Sequence, residues 1–305
     1  MKFIPEDVSA ELVTHELAYE AIRNALIAAS EDGTTTFPVV QAHGSDKGNL
    51  YGIKSASTPS LAGLKVGSYW PGNDIHQIPR HNSIIFLFDQ IVGRIGAAVE
   101  AGRLNGYRTA AADAVAADVL ARPDSSTLAL FGAGHQAEFE VQALARIRNL
   151  SRVLVVARNP SAAEHLASIL QNQGIPAVVS EPETACRSAD IIVTVTTATA
   201  PLFQAQWVQP GTHIASMGSD ATGKQELPTE LFRESLLFCD LPSQSRMIGE
   251  FQHAPKDSTL SVIGAVLSGR TPGRQTESEV TIFDSSGLSV QDLFIARAIL
   301  ELHAL

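Results

Sequence analysis

The sequence predicts an α/β protein in which a parallel-sheet unit is joined to a smaller α+β part. Three observations predict it. From residue 127 onward, short apolar strands alternate with helical stretches, the pattern of a parallel sheet with right-handed crossovers. The first of these strands, Thr127-Leu-Ala-Leu-Phe131, runs straight into Gly132-x-Gly134-x-x-Ala137 and then a helix-forming stretch. The first third lacks that alternation and shows short strands divided by Gly, Pro, Asn and Asp.

Taken in order, residues 9–30 place apolar side chains at helical spacing (Leu12, Leu17, Ala21, Ile22, Ala25, Leu26), with Gly33 as a stop. Segments 36–42, 49–56, 62–70 and 83–88 read as strands, and Gly93–Val99 reads as a hairpin partner of the last. Ala101–Leu120 is alanine-rich and predicts one long helix. Strands at 127–131, 152–156, 176–179, 190–195, 212–216 and 235–239 follow, with helices at 136–148, 161–173 and 182–188. A strand at Thr281–Asp284 and a helix at Val290–Leu302 close the chain, and that helix is expected to pack back on the first part. The hinge is expected in the long helix near 101–120 together with the Ser285–Gly287 turn.

The glycine turn has a physical logic. Gly132 permits the tight turn, Gly134 has no side chain to block a pyrophosphate, and Ala137 lets the helix approach the strand. Phosphates would then meet free N–H groups at the positive end of that helix. This predicts a Rossmann-type, dinucleotide-binding domain. In the NAD form of that fold, an acidic residue about 20 positions later binds the ribose 2′-hydroxyl. Here the second strand ends in Arg158-Asn-Pro160, with no carboxylate. An arginine fork suits a 2′-phosphate, so NADPH is the expected cofactor, with NADH possible; a solvated loop arginine is the alternative.

Composition narrows the field. With 45% apolar and 18% charged residues, 305 residues can bury a real core. A net charge of −10 argues against a general nucleic-acid surface. Cys186 and Cys239 are the two cysteines, which supports neither a disulfide framework nor a cysteine metal site. No signal-peptide core and no stretch of about 20 apolar residues is present, so a cytoplasmic protein is expected. The nine histidines show no HExxH, and no GxSxG elbow supports a serine hydrolase.

Two patterns carry candidate chemistry. Lys65 and Arg108 are isolated cations among small apolar residues, and such a cation is seldom buried unless paired. They could grip a substrate carboxylate or form a salt bridge with a neighbouring acid. Met217-Gly-Ser-Asp220-Ala-Thr-Gly-Lys224-Gln-Glu226 follows an apolar strand, at the edge where open α/β sheets bind ligands. Asp220 could donate or accept a proton, or balance a cationic nitrogen. The alternative is an Asx-type turn with Lys224 and Glu226 simply solvated.

Jointly, Leu64-Lys65-Val66 with Pro71-Gly-Asn73, Tyr107-Arg108-Thr-Ala-Ala-Ala112, Phe131-Gly-Ala-Gly-His-Gln136, Val193-Thr-Val-Thr196, the 217–226 string and Ile282-Phe-Asp-Ser-Ser-Gly287 resemble the ornithine cyclodeaminase/mu-crystallin family nearly end to end. The resemblance implies a homodimer with an active site in the cleft between two domains. It assigns 1–115 with 288–305 to a substrate-binding and dimerisation domain, and 116–287 to the NAD(P)-binding Rossmann domain. Carried over by position, Lys65 and Arg108 match substrate-carboxylate residues, and Asp220 matches the catalytic aspartate, with Lys65 also at the reacting centre. Ser83, His135, Gln136, Arg158, Thr196 and Met217 match positions near the cofactor, beside Gly132, Gly134 and Ala137. One departure stands out. Many relatives carry an arginine near residues 36–41, where this chain reads Thr36-Phe-Pro-Val-Val-Gln41. Lys54 is the candidate replacement.

The family includes cyclodeaminases, ketimine reductases, amino-acid dehydrogenases and a thyroid-hormone-binding crystallin. Arg158 and the 217–226 string favour an NADPH-preferring reductase that takes Δ1-pyrroline-2-carboxylate to L-proline, and Δ1-piperideine-2-carboxylate to L-pipecolate. The alternatives are an ornithine cyclodeaminase using NAD catalytically and a non-catalytic NADPH-dependent binder of small ligands.

Overall fold

The computed structural model describes residues 1–304. Along the chain the elements are β1 (Lys2–Ile4), α1 (Glu6–Leu12), α2 (His15–Ala29), β2 (Thr35–Thr36), β3 (Val40–His43), β4 (Leu50–Ser57), β5 (Ala62–Tyr69), β6 (His81–Asp89), β7 (Arg94–Glu100) and α3 (Gly102–Leu120). They continue as β8 (Thr127–Phe131), α4 (His135–Ile147), β9 (Arg152–Val156), α5 (Pro160–Asn172), β10 (Ala177–Val179), α6 (Pro182–Ser188), β11 (Ile191–Thr194) and β12 (His213–Ser216). The last are α7 (Leu231–Glu234), β13 (Leu236–Cys239), α8 (Pro242–Ile248), β14 (Leu260–Val262), α9 (Ile263–Leu267), β15 (Thr281–Asp284) and α10 (Ser289–Leu302). The chain divides into two compact units, Met1–Arg108 with Leu288–Leu305 and Thr109–Gly287.

The first unit is built on a sheet of order β1-β7-β6-β5-β4-β2, with β3 also paired to β4. Only β1 pairs in parallel; the others are antiparallel. The helix expected over 9–30 is two helices, because the chain turns extended at Val13 and Thr14. Thr14 caps α2 by accepting from the Leu17 N–H at 3.1 Å. The buried positions of α2 (Ala18, Ala21, Ile22, Ala25, Leu26) recur at the helical period, so one face meets the core. α10 packs on that helix and on β4, β5 and β6. Gly63 allows this contact: a Cβ there would lie 2.2 Å from the Phe86 carbonyl oxygen and 2.9 Å from Leu293 Cδ2.

The second unit is an all-parallel sheet of order β10-β9-β8-β11-β12-β15-β13-β14. Strands covered on both faces read as continuous apolar runs, and in β8 residues Leu128, Ala129, Leu130 and Phe131 are all buried. The strand order reverses between β9-β8 and β11-β12, the topological switch point at which such sheets bind dinucleotides. Thr194 of β11 is level with Phe131 of β8 and with Ser216 of β12. The loops after these three strands therefore emerge side by side. Among the described residues, no helix is long and apolar enough to cross a membrane.

Candidate active site

In the first unit, Lys65, Arg108 and Lys54 come together around one acid. Lys65 on β5 is 7% exposed, and its Nζ donates to Asp292 Oδ1 at 2.7 Å and to Asn105 Oδ1 at 3.1 Å. Arg108 on α3 donates from Nε and Nη2 to Asn105 Oδ1 at 3.2 and 2.9 Å, and from Nη1 to Gln291 Oε1 at 3.4 Å. Its Nε also lies 3.4 Å from Asp292 Oδ1. Lys54 on β4 is the register partner of Lys65 across the hairpin, and its charge acts on both Lys65 and Asp292. The salt-bridge reading of the two cations is thus realised. The charges of Lys65, Arg108 and Lys54 all act on this one carboxylate. Asp292 Oδ2 and Gln291 Nε2 are buried without a hydrogen-bond partner. A buried cluster of cations around one acid is suited to an incoming carboxylate.

Electrostatics follow from that arrangement. Burial pulls the Lys65 amine down to about 7, with Asp292 opposing and Arg108 and Lys54 reinforcing. Burial pushes Asp292 up, but the charges of Lys65, Arg108 and Lys54 outweigh it and hold its carboxyl below the usual range. Because the folded value of Lys65 lies below the unfolded one, its contribution to stability is present above pH 10.5 and is lost as pH falls toward 7. An anionic ligand binds best to the protonated amine. The affinity for a fully ionised small dicarboxylate such as succinate, followed by calorimetry, is therefore expected to weaken above pH 7 by up to about tenfold per pH unit. Lys65→Arg should flatten that limb, and Asp292→Asn should move it to lower pH; a flat profile in the unaltered protein would contradict the assignment.

Ser83, also in the first unit, sits on β6 and donates from Oγ to the Ala101 carbonyl at 2.9 Å.

The second unit holds the other predicted positions. Gly132 has φ +124°, and a Cβ there would lie 2.6 Å from the Val195 carbonyl oxygen, so only glycine fits. Gly134 caps α4 with extended backbone, and a Cβ there would meet nothing within 4 Å. The space before the first turn of this 13-residue helix is open, as a pyrophosphate requires. His135 and Gln136 open the helix and Ala137 is fully buried. The His135 ring meets Phe139 edge-on at 5.1 Å, and Gln136 Nε2 donates to Glu140 at 2.8 Å. Arg158 lies exposed just beyond β9. These residues fit a nicotinamide dinucleotide, with Gly132, Gly134 and the start of α4 to hold its phosphates.

Thr196 and Met217 follow β11 and β12, at the same sheet edge. Asp220 lies in the loop beyond Met217, its side chain 57% exposed, with Lys224 Nζ at 2.5 Å from Oδ1. Lys224 also donates to the Gly218 carbonyl at 3.1 Å. Glu226 is not the solvated residue of the turn reading: it is fully buried and accepts hydrogen bonds from both strand-end loops. His213 is a packing residue on β12, sharing a hydrogen bond with Thr281 Oγ1 at 2.9 Å, and burial pulls its imidazole down to about 3. No group of three metal-ligating side chains forms among the described residues.

Sequence reasoning missed Asp292, Asn105 and Gln291 around the cations, and Glu250 behind Glu226. A signal for one of them was present. Asp292 is an acid on the apolar face of the last helix, among Val290, Leu293, Ile295, Ala296 and Ile299, and an acid buried there needs a cation.

The solved iminosuccinate reductase of Paracoccus denitrificans, in complex with NAD+, is similar over 100% of this chain and 96% of its own, with a TM-score of 0.94. Its sequence is 38% identical over 309 residues, 99% of this chain and 96% of the relative. An archaeal alanine dehydrogenase, solved as a dimer with bound NAD, is similar over 99% of this chain and 95% of its own, with TM-score 0.91 and 30% identity. An ornithine cyclodeaminase of Brucella abortus is 32% identical over 85% of this chain and 73% of its own length. Fold, glycine turn and likeness together define a nicotinamide-dependent oxidoreductase acting on carbon–nitrogen double bonds. Residues 3–304 match the ornithine cyclodeaminase/mu-crystallin family, and the chain belongs to that family.

Proposed function

We propose that the protein reduces the C=N bond of a small imino acid to the corresponding amino acid, and that its substrate carries two carboxylates, as iminosuccinate does. The observation that carries this reading is the concentration of cations around Asp292. Lys65 and Arg108 approach its Oδ1 at 2.7 and 3.4 Å, and the charge of Lys54 acts on the same carboxylate. The identity with the Paracoccus iminosuccinate reductase supports it. The cyclic substrates, Δ1-pyrroline-2-carboxylate and Δ1-piperideine-2-carboxylate, are the second reading. They present a single carboxylate, and the positive charge of the cluster falls as Lys65, with its value near 7, becomes neutral.

In either case Arg108 and Lys65 hold and orient the carboxylate beside the imine, and Lys54 supplies the charge of the absent family arginine. Asp220 stabilises the protonated imine nitrogen or relays its proton, with Lys224 holding its carboxylate. When bound, the nicotinamide supplies the hydride that reduces the imine carbon. Orientation and charge placement account for most of the acceleration. NADPH is the cofactor proposed, on the strength of Arg158, and a homodimer the working assembly.

A substrate panel tests the reading. Iminosuccinate, generated from oxaloacetate and ammonia, should be turned over with a higher kcat/KM than Δ1-pyrroline-2-carboxylate. The reverse order would favour the cyclic reading, and ammonia release from L-ornithine without net cofactor oxidation would favour cyclodeamination. Cofactor oxidation with none of them would leave the crystallin-like binder. Arg158→Ala should weaken NADPH roughly tenfold and NADH little; equal weakening would refute the 2′-phosphate role.

A further inference from the structure

Glu226 has no role in the reaction as described above, yet five hydrogen bonds end on its buried carboxylate. Oε1 accepts from the Thr196 N–H at 2.7 Å and the Thr196 hydroxyl at 2.8 Å. Oε2 accepts from the hydroxyls of Thr194 at 2.8 Å and Ser216 at 3.1 Å, and from the Gly218 N–H at 2.9 Å. The donors belong to two segments, the ends of β11 and β12 with the loops that leave them. One carboxylate therefore ties two neighbouring strand-end loops together.

The two segments also pack closely, and the Met217 N–H donates to the Thr194 carbonyl at 2.8 Å. A Cβ on Gly218 would lie 2.3 Å from the Thr196 carbonyl oxygen and 2.5 Å from Glu226 Oε1. Gly132 of the phosphate turn approaches Val195 in the same way, so the loop after β11 rests on that turn. Glu226 is itself fixed from behind. Glu250 accepts from the N–H groups of Glu226 at 3.0 Å and Leu227 at 2.8 Å.

Topology says what this clamp faces. A dinucleotide straddles the switch point at the carboxyl ends of the strands. Arg158, at the end of β9, marks the adenosine side. The loops after β11 and β12 lie on the other side of the glycine turn, where the nicotinamide half must rest. We propose that Glu226 is a positioning residue for the nicotinamide half of the cofactor, acting through Thr196 and the Met217–Gly218 segment. The proposal rests on the nicotinamide reading. Its physical content is that a donor loop displaced by a fraction of an ångström no longer orients the ring.

The test separates the two halves of the cofactor. Glu226→Gln keeps the shape but turns an amide NH2 toward N–H donors, so one loop must be released. NADH binding, followed by nicotinamide fluorescence, is expected to weaken about tenfold, while ADP-ribose binding stays within about twofold. Equal weakening of both ligands would reveal a merely structural residue and overturn the proposal, as would unchanged NADH binding. Should Glu226→Gln not fold, Thr196→Val removes one donor and leaves the carboxylate in place. It should weaken NADH by about threefold and spare ADP-ribose, since a neutral hydrogen bond is lost; no selective loss would again overturn the proposal. An unaltered protein that bound ADP-ribose as tightly as NADH would overturn the nicotinamide reading, and this assignment with it.

Discussion

Replacing Lys65 with Met should lower kcat/KM for the imino acid by about two to three orders of magnitude, since removing one member of a buried charge pair costs about 2–5 kcal/mol. The loss has two sources. The substrate carboxylate forfeits a cation that is nearly enclosed, and Asp292 forfeits its 2.7 Å partner. Asp292 then keeps the longer 3.4 Å approach of Arg108 and the more distant charge of Lys54, so one carboxylate competes with the substrate for the cations that remain. The affinity for NADH should stay within about twofold, because the glycine turn belongs to the other compact unit. Steady-state kinetics together with fluorescence binding would check both halves. A variant that kept wild-type kcat/KM would remove Lys65 from the site.

The two glycines of the turn should separate stability from cofactor binding. Gly132→Ala forces a side chain into a left-handed backbone and within 2.6 Å of the Val195 carbonyl. It should destabilise the second unit by about 3 kcal/mol and abolish cofactor binding with it. Gly134→Ala is the cleaner change. Its φ of −84° suits any residue, and the new Cβ would meet nothing within 4 Å. Thermal unfolding should therefore be unaltered. The methyl group would, however, occupy the open space before α4, and NADH affinity should fall by about ten- to a hundredfold. If Gly134→Ala bound NADH normally, the phosphates would not rest where the turn directs them.

Local signals and long-range ones differed in what the sequence made legible. The glycine turn, the strand–helix alternation and the long α3 each depend on residues near one another in the chain, and each appears within a residue or two of its expected place. The break between α1 and α2 was masked because apolar spacing continues across Val13 and Thr14 while the backbone does not. The charged cluster shows the other case. Lys65 and Arg108 were visible as isolated cations, but the acid that holds them is 227 residues from Lys65, on a helix expected only to pack back on the first part. Glu226 was left open between two readings for a similar reason. A carboxylate in a Gly- and Asp-rich string resembles a solvated loop residue until Glu250 and the ends of β11 and β12 close around it.

Hydride transfer to an imino carbon can be followed atom by atom with an isotope. NADH or NADPH carrying deuterium at C4 of the nicotinamide would be supplied with oxaloacetate and ammonia, and the product analysed by mass spectrometry and NMR. The expected product is aspartate with deuterium on Cα, formed in proportion to the cofactor oxidised. Deuterium in malate in place of aspartate, or no transfer from either cofactor to iminosuccinate or to the cyclic imino acids, would contradict it.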